Sequence, residues 1–233
     1  MRLAEPPRNI FVEYGRLARR AMAWARPGDA RPPHSGAAVH TLLVQNKMKN
    51  SSRTPSTYVA LLRGINLGGH KIVKMDQLRK TFEELGFADV KTYIQSGNVV
   101  FKAPASTPAK LAKRIEEGVL RQFGFPVAAL VKTAAELGEV IANNPLLKEK
   151  GIDPTKLHVT FLACAPDKNA LKALDAAEAA PDQFRCSAQA VYLYCPNGYH
   201  ATKLGNNVLG KMLKVGTTTR NWNTVNKLWE MTR

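Results

Sequence analysis

The residues best suited to chemistry fall in three short stretches. The first is the loop Arg63-Gly64-Ile65-Asn66-Leu67-Gly68-Gly69-His70-Lys71. Its glycines can present backbone N–H groups, and Arg63, Asn66, His70 and Lys71 add charge and hydrogen bonds, a combination that suits a phosphate or a carboxylate. It matches neither G-x-x-x-x-G-K-[ST] nor G-x-G-x-x-G, so no P-loop or dinucleotide fingerprint is present. The competing reading is architectural: Gly64, Gly68 and Gly69 form a tight connection, and Asn66 braces it through its own backbone. The second stretch, Gln95-Ser96-Gly97-Asn98, lies between two β-rich runs and reads as a hairpin turn. Gly97 or Asn98 takes positive φ there, and Gln95 and Ser96 reach out from the tip. The third runs from Thr218 to Met231 and reads as a helix with Thr218 or Thr219 as N-cap and Trp222, Val225 and Trp229 on its buried stripe. Arg220 and Asn221 then sit in its first turn. A cation there opposes the helix dipole, so Arg220 is expected to answer either an anionic ligand or a protein carboxylate such as Glu83 or Glu84.

Convergence of Arg63, Asn66, Gly68, Gly69, Ser96, Asn98, Arg220 and Asn221 in one cleft would make a ligand site. The arginines would clamp an anion through their planar forks and the asparagines would orient it. His70 is the general-base candidate, being the one nearby group that exchanges a proton near neutral pH. No carboxylate joins this set, which argues against general acid–base hydrolysis. His34, His40, His70, His158 and His200 lack metal-ligand spacing, so neither a metal nor another cofactor is expected. Cys164, Cys186 and Cys195 show no C-x-x-C pairing and read as buried thiols of a reducing cytoplasm. A nucleophilic cysteine would need a base, and the nearest, His158, reads as a strand side chain.

The elements that must position these groups follow from apolar periodicity. Val59, Leu61 and Ile65 share a strand face, and Met75, Leu78, Phe82 and Leu85 form a helical stripe with Asp76 near its start and Gly86 past its end. Val90 to Ile94 and Val99 to Phe101 are strands. Thr107-Pro108 opens a second helix carrying Leu111, Ile115 and Val119, Gly124 ends it, and Phe125 to Val131 is a fourth strand. That β-α-β-β-α-β order is the ferredoxin-like arrangement, and it leaves one sheet face for something else to cover. Thr133 to Glu136 is a capping box. Beyond it, Leu157 to Cys164 is a strand, Asp167 caps a helix with Leu171 and Leu174, two strands follow at 184–187 and 190–195, and Lys203 to Leu213 is helical. The fold class is therefore α+β: two ferredoxin-like lobes, 56–145 and 146–233, with a closing C-terminal helix in place of a simple final strand.

Charge separates the two ends of the chain. Its 34 Lys and Arg outnumber 18 Asp and Glu, for a net charge of +16. Residues 1–55 hold 10 basic and 3 acidic residues in a Pro-, Arg-, Ala- and Ser-rich stretch. This reads as a disordered extension, either a basic arm for nucleic acid or membrane surfaces or a segment with no selected role. It lacks the apolar core and cleavage context of a signal peptide, and no run of about 18 apolar residues marks a membrane span.

Three ungapped segments carry a family resemblance: ALLRGINLGG at 60–69, TYIQSGNVVF at 92–101 and TTRNWNTVNKL at 218–228. They resemble the signature segments of the bacterial family known as domain of unknown function 1697. The resemblance runs from about Tyr58 to the C-terminus and implies an α+β protein with ferredoxin-like elements, but no substrate. It also implies an acidic residue in the middle of the penultimate helix, where this chain has Gly210; if that carboxylate serves as a base in relatives, this copy is impaired. Three functions stay open. One is binding of a phosphate-bearing small molecule or nucleic acid; another is a small enzyme acting on an anionic substrate. The third is a structural or homo-oligomeric role. RNA recognition would need aromatics on an open sheet face, with Tyr93 and Phe101 as the candidates.

Overall fold

Two central strands buried on both faces, β1 (Ser56–Leu62) and β5 (Leu157–Leu162), set the layering of the molecule. A computed structural model describes residues 54–233. The proposed N-terminal extension lies outside these apart from its last two residues. The first lobe runs β1, α1 (Met75–Glu84), β2 (Ala88–Tyr93), β3 (Asn98–Ala103), α2 (Pro108–Phe123) and β4 (Ala129–Thr133), and α3 (Ala134–Ala142) follows. The second runs β5, α4 (Lys168–Asp175), β6 (Gln183–Cys186), β7 (Ala190–Tyr194), α5 (Asn206–Leu213) and β8 (Thr217–Asn221), and α6 (Trp222–Glu230) follows. The sheets are antiparallel, ordered β2-β3-β1-β4 and β6-β7-β5-β8. Each lobe is thus a ferredoxin-like βαββαβ unit with one added helix.

Three apolar layers follow from strand alternation. Tyr58, Ala60 and Leu62 of β1 pack against Leu78 and Phe82 of α1 and Leu111 and Ile115 of α2. Val59 and Leu61 point the other way, toward Val159, Phe161 and Tyr192 of the second sheet and toward α3 and α6. On the far side, Leu162, Val191 and Leu193 meet Leu174, Leu209 and Leu213 of α4 and α5. The sheet faces left bare by the ferredoxin-like order therefore meet in one apolar layer together with α3 and α6, and the described residues hold together as one unit. Phe101 is fully buried beside Tyr58, Phe82 and Phe87, and Tyr93 packs against the middle layer. Neither ring lies on an open face. Among the described residues no helix is long and apolar enough to cross a membrane.

Both added helices start without a loop. Thr133, the last residue of β4, forms a capping box with Glu136 at the start of α3. Asn221, the last residue of β8, accepts from the Thr224 N–H at 2.8 Å and caps α6. This corrects the reading of Thr218 or Thr219 as the cap and supplies the final strand that the second lobe was expected to lack. The β-branched run Thr217-Thr218-Thr219 prefers the pleated surface and pairs with Leu162, Phe161 and Thr160 of β5. Arg220 consequently stands on a strand opposite Val159, outside the first turn of the helix. Replacing Asn221 with alanine is expected to lower stability by about 1 kcal/mol, with serine retaining most of it. Equal denaturation midpoints for wild type and Asn221→Ala would contradict the capping role. Two smaller boundaries also move: β4 begins at Ala129, after an irregular Phe125–Val127 stretch, and Cys164 lies beyond β5 and is exposed.

Candidate functional site

Arg220 joins the lobes. Its Nε donates to Asn98 Oδ1 at 2.6 Å, Nη2 donates to the Leu62 and Ser96 carbonyls at 2.7 and 3.0 Å, and Nη1 donates to Thr218 Oγ1 and the Thr219 carbonyl at 2.9 and 2.8 Å. A guanidinium has five N–H groups in one plane, and all five are used. Every acceptor is a neutral oxygen. Neither Glu83 nor Glu84 answers the charge; Glu83 pairs instead with Arg79 on its own helix. Burial pulls the Arg220 pKa down to about 10, so the group is still a cation at neutral pH, and no carboxylate among the described residues pairs with it.

The hairpin is built to receive it. Asn98 is fully buried, and its amide donates to the Tyr93 carbonyl and to Ser96 Oγ, which turns Oδ1 toward Arg220. Gly97 has φ +75°, and a Cβ there would lie 2.8 Å from both Leu62 Cβ and Ile65 Cδ1. The hairpin can therefore rest against the end of β1 only because residue 97 has no side chain. Asn66, at φ 55°, receives the Val73 N–H and donates to the Val73 and Gln95 carbonyls. Its polar groups thus tie the glycine loop to the hairpin, as the bracing alternative required.

Beside Arg220 a cleft of about 460 Å³ opens between the lobes. Leu62, Arg63, Gly64, Ile65, Leu67, Ile94 and Ser96 line it from the first lobe, and His158, Tyr199, Asn206 and residues 218–221 line it from the second. None of its lining residues is acidic. Arg63 reaches across to Asn207 Oδ1 at 2.6 Å, which is its one side-chain partner among the described residues. The rest of its fork has no side-chain partner among the described residues. The His158 and Tyr199 rings stack at 4.8 Å and 26°. The Tyr199 hydroxyl accepts the Asn206 N–H at 2.9 Å, fixing the start of α5 against the ring.

His158 Nδ1 lies 3.2 Å from the Lys156 carbonyl. A carbonyl can only accept, so Nδ1 carries the proton and the neutral ring keeps an acceptor lone pair at Nε2. Burial pushes the His158 pKa down, more than the Lys156 contact raises it. The sign follows: the unfolded chain takes up this proton first as pH falls, so the stabilisation is present above the unfolded value near 6.5 and is lost as pH falls through the lower folded value. An NMR titration of the His158 ring is expected to give a midpoint below about 6.5. A midpoint at or above that value would contradict the burial argument.

The sequence-derived site residues therefore separate into groups. Arg63, Ser96, Arg220 and Asn221 line one cleft, while Asn98 stands behind it on Arg220. Asn66 and Asn221 have their side-chain groups engaged in bracing and capping. Gly68 and Gly69 shape the tip of a small hairpin, both at positive φ between the bridged Leu67 and His70. Those glycines and the exposed His70 are not among the lining residues. Gly210 is not among them either, and a Cβ there would meet Thr217 Oγ1 at 3.0 Å. Sequence reasoning missed Tyr199 and Asn206 and passed over His158 as a strand residue. His158 pairs with the last residue of β8, a strand that the sequence did not display, so no signal in the chain pointed to it. No three His, Cys, Asp or Glu side chains gather at one point among the described residues.

The family model described as "Protein of unknown function (DUF1697)" matches residues 56–192. It spans the glycine loop, the hairpin and His158, and ends before Tyr199, Asn206 and Arg220. A search of curated proteins finds no match. Among solved structures, a conserved bacterial protein from Streptococcus pneumoniae is similar, with a TM-score of 0.59 and 21% identity over 77% of this chain and 100% of its own. At that identity the likeness speaks to the fold.

Proposed function

The chain belongs to the DUF1697 family of proteins of unknown function, and from that premise we propose that it binds a phosphate-bearing small molecule in the cleft between its lobes. The observation that carries this reading is a cavity with two guanidinium groups and no carboxylate among its lining residues. Arg63 is the fork with donors to spare: most of them are uncommitted, and planar paired N–H groups match phosphate oxygens. Arg220 supplies fixed charge in a low-dielectric wall, where attraction to an anion is stronger than at an open surface. A volume of about 460 Å³ suits a small ligand and is far below what a duplex requires. A small enzyme acting on the same anionic ligand is the second reading. It is favoured by His158, whose Nε2 acceptor belongs to a ring lining the cleft.

The test uses the full chain. Thermal-shift and calorimetric titrations would compare inorganic phosphate, small phosphate esters and a short oligonucleotide, for wild type and Arg63→Met. Phosphate esters are expected to raise the unfolding midpoint, and Arg63→Met to weaken their binding about tenfold with little change in the ligand-free midpoint. No midpoint shift with any phosphate compound, or equal affinities for the two proteins, would remove the reading. Preference for the oligonucleotide alone would move recognition to an extended basic surface.

A further inference from the structure

We propose that the ligand of this cleft carries a planar aromatic ring together with its phosphate, and that the ring lies on the face of the Arg220 guanidinium. The inference rests on the anion-binding reading above and names the ligand class for that site. A guanidinium has two kinds of surface, an N–H edge and two flat faces. At Arg220 the edge is spent, because five protein oxygens between 2.6 and 3.0 Å take its five N–H groups. A ligand cannot be clamped by that edge without breaking the contacts that join the lobes. Arg220 lines the cleft with its edge spent, so the guanidinium surface it has left for a ligand is a face, and such faces attract aromatic rings. Because all its acceptors are neutral, no carboxylate contact cancels the charge that drives this attraction.

The remainder of the wall agrees in chemistry. The stacked His158–Tyr199 pair offers a second flat surface. Leu67 and Ile94, which line the cleft, are 66% and 50% exposed and place apolar surface beside the arginines. Inorganic phosphate or a sugar phosphate would leave that surface wet, whereas a ring would cover it. Arg63 is then the group left to take the phosphate. Nucleoside monophosphates are the class that joins a large aromatic ring to a phosphate at about this size.

The experiment is calorimetry on the full chain with adenosine monophosphate, ribose phosphate and inorganic phosphate as probes. Adenosine monophosphate is expected to bind at least about tenfold more tightly than ribose phosphate, the margin that base stacking supplies. Arg220→Lys keeps the charge and removes the flat face, so it is expected to erase that margin, and a margin that persists in a folded variant overturns the placement of the ring on Arg220. Since this variant also loses part of the brace, the wild-type comparison decides by itself if the variant fails to fold. Equal affinities for adenosine monophosphate and ribose phosphate overturn the ring and leave the anion reading standing. Binding of none of the three overturns both.

Discussion

Replacing Arg220 with methionine is expected to destabilise the protein by about 3 kcal/mol, which for a domain of this size lowers the unfolding midpoint by about 10 °C. Methionine keeps much of the apolar bulk but none of the donors. Asn98 Oδ1, in a fully buried residue, loses its Arg220 donor, and the Leu62 and Ser96 carbonyls lose theirs. An unsatisfied buried acceptor typically costs about 1–3 kcal/mol. Removing a desolvated cation offsets part of this, so the net effect is smaller than the sum of the lost bonds. Lysine, with three donors on a flexible stem, should recover only a fraction. A methionine variant melting with wild type would show that the bridge between the lobes carries no stability, and would return Arg220 to a purely ligand-facing role.

The Gly97→Ala change tests the same junction from the other side and is expected to cost about 3 kcal/mol. Two separate terms act. Holding alanine at φ +75° is strained by roughly 1 kcal/mol or more. Its Cβ would also stand 2.8 Å from Leu62 Cβ, an atom fixed to the backbone of β1. Relieving that contact means moving the hairpin away from β1, which stretches the 2.8 Å bond from the Leu62 N–H to the Gly97 carbonyl and shifts Ser96, an Arg220 acceptor. Overpacking of this kind adds about 1–3 kcal/mol. A crystal structure or amide-exchange profile should show the loss centred on residues 94–98 and β8. Loss confined to α1 and α2 would contradict the placement of the strain.

Much of the fold was legible because β1 and β3 are continuous apolar, β-rich runs, buried on both faces. In β1 the pairs Tyr58/Ala60 and Val59/Leu61 report two different buried layers from four consecutive residues. Helix ends were legible where a side chain does the capping, as at Thr107, Thr133 and Asp167. β8 escaped for a physical reason. Its residues Thr217 to Asn221 are all polar and carry no apolar alternation, and the strong Trp222-Val225-Leu228 stripe of α6 draws the helix boundary upstream.

The site was legible in type and only partly in role. Arg63, Ser96, Asn98 and Arg220 do meet across the lobes, yet three of the five Arg220 acceptors are backbone carbonyls, which no residue pattern displays. The asparagines read as ligand-orienting groups instead serve loops, a helix cap and the bridge. His158, Tyr199 and Asn206 come together from a strand, a short turn and a helix start, with no spacing that marks them in the chain. Neutral oxygens in place of a carboxylate also leave Arg220 a cation in a wall with no acidic lining residue, which is the premise of the proposed anion site.

The most direct measurement is an amide NMR titration of the full chain with adenosine monophosphate, repeated on Arg63→Met. The expected result is a set of shifts concentrated at Arg63, Gly64, Ile65, Tyr199 and Asn206 that is lost in the variant. Shifts confined to the basic N-terminal residues, or a response at the cleft that is unchanged by Arg63→Met, would contradict a phosphate site between the lobes.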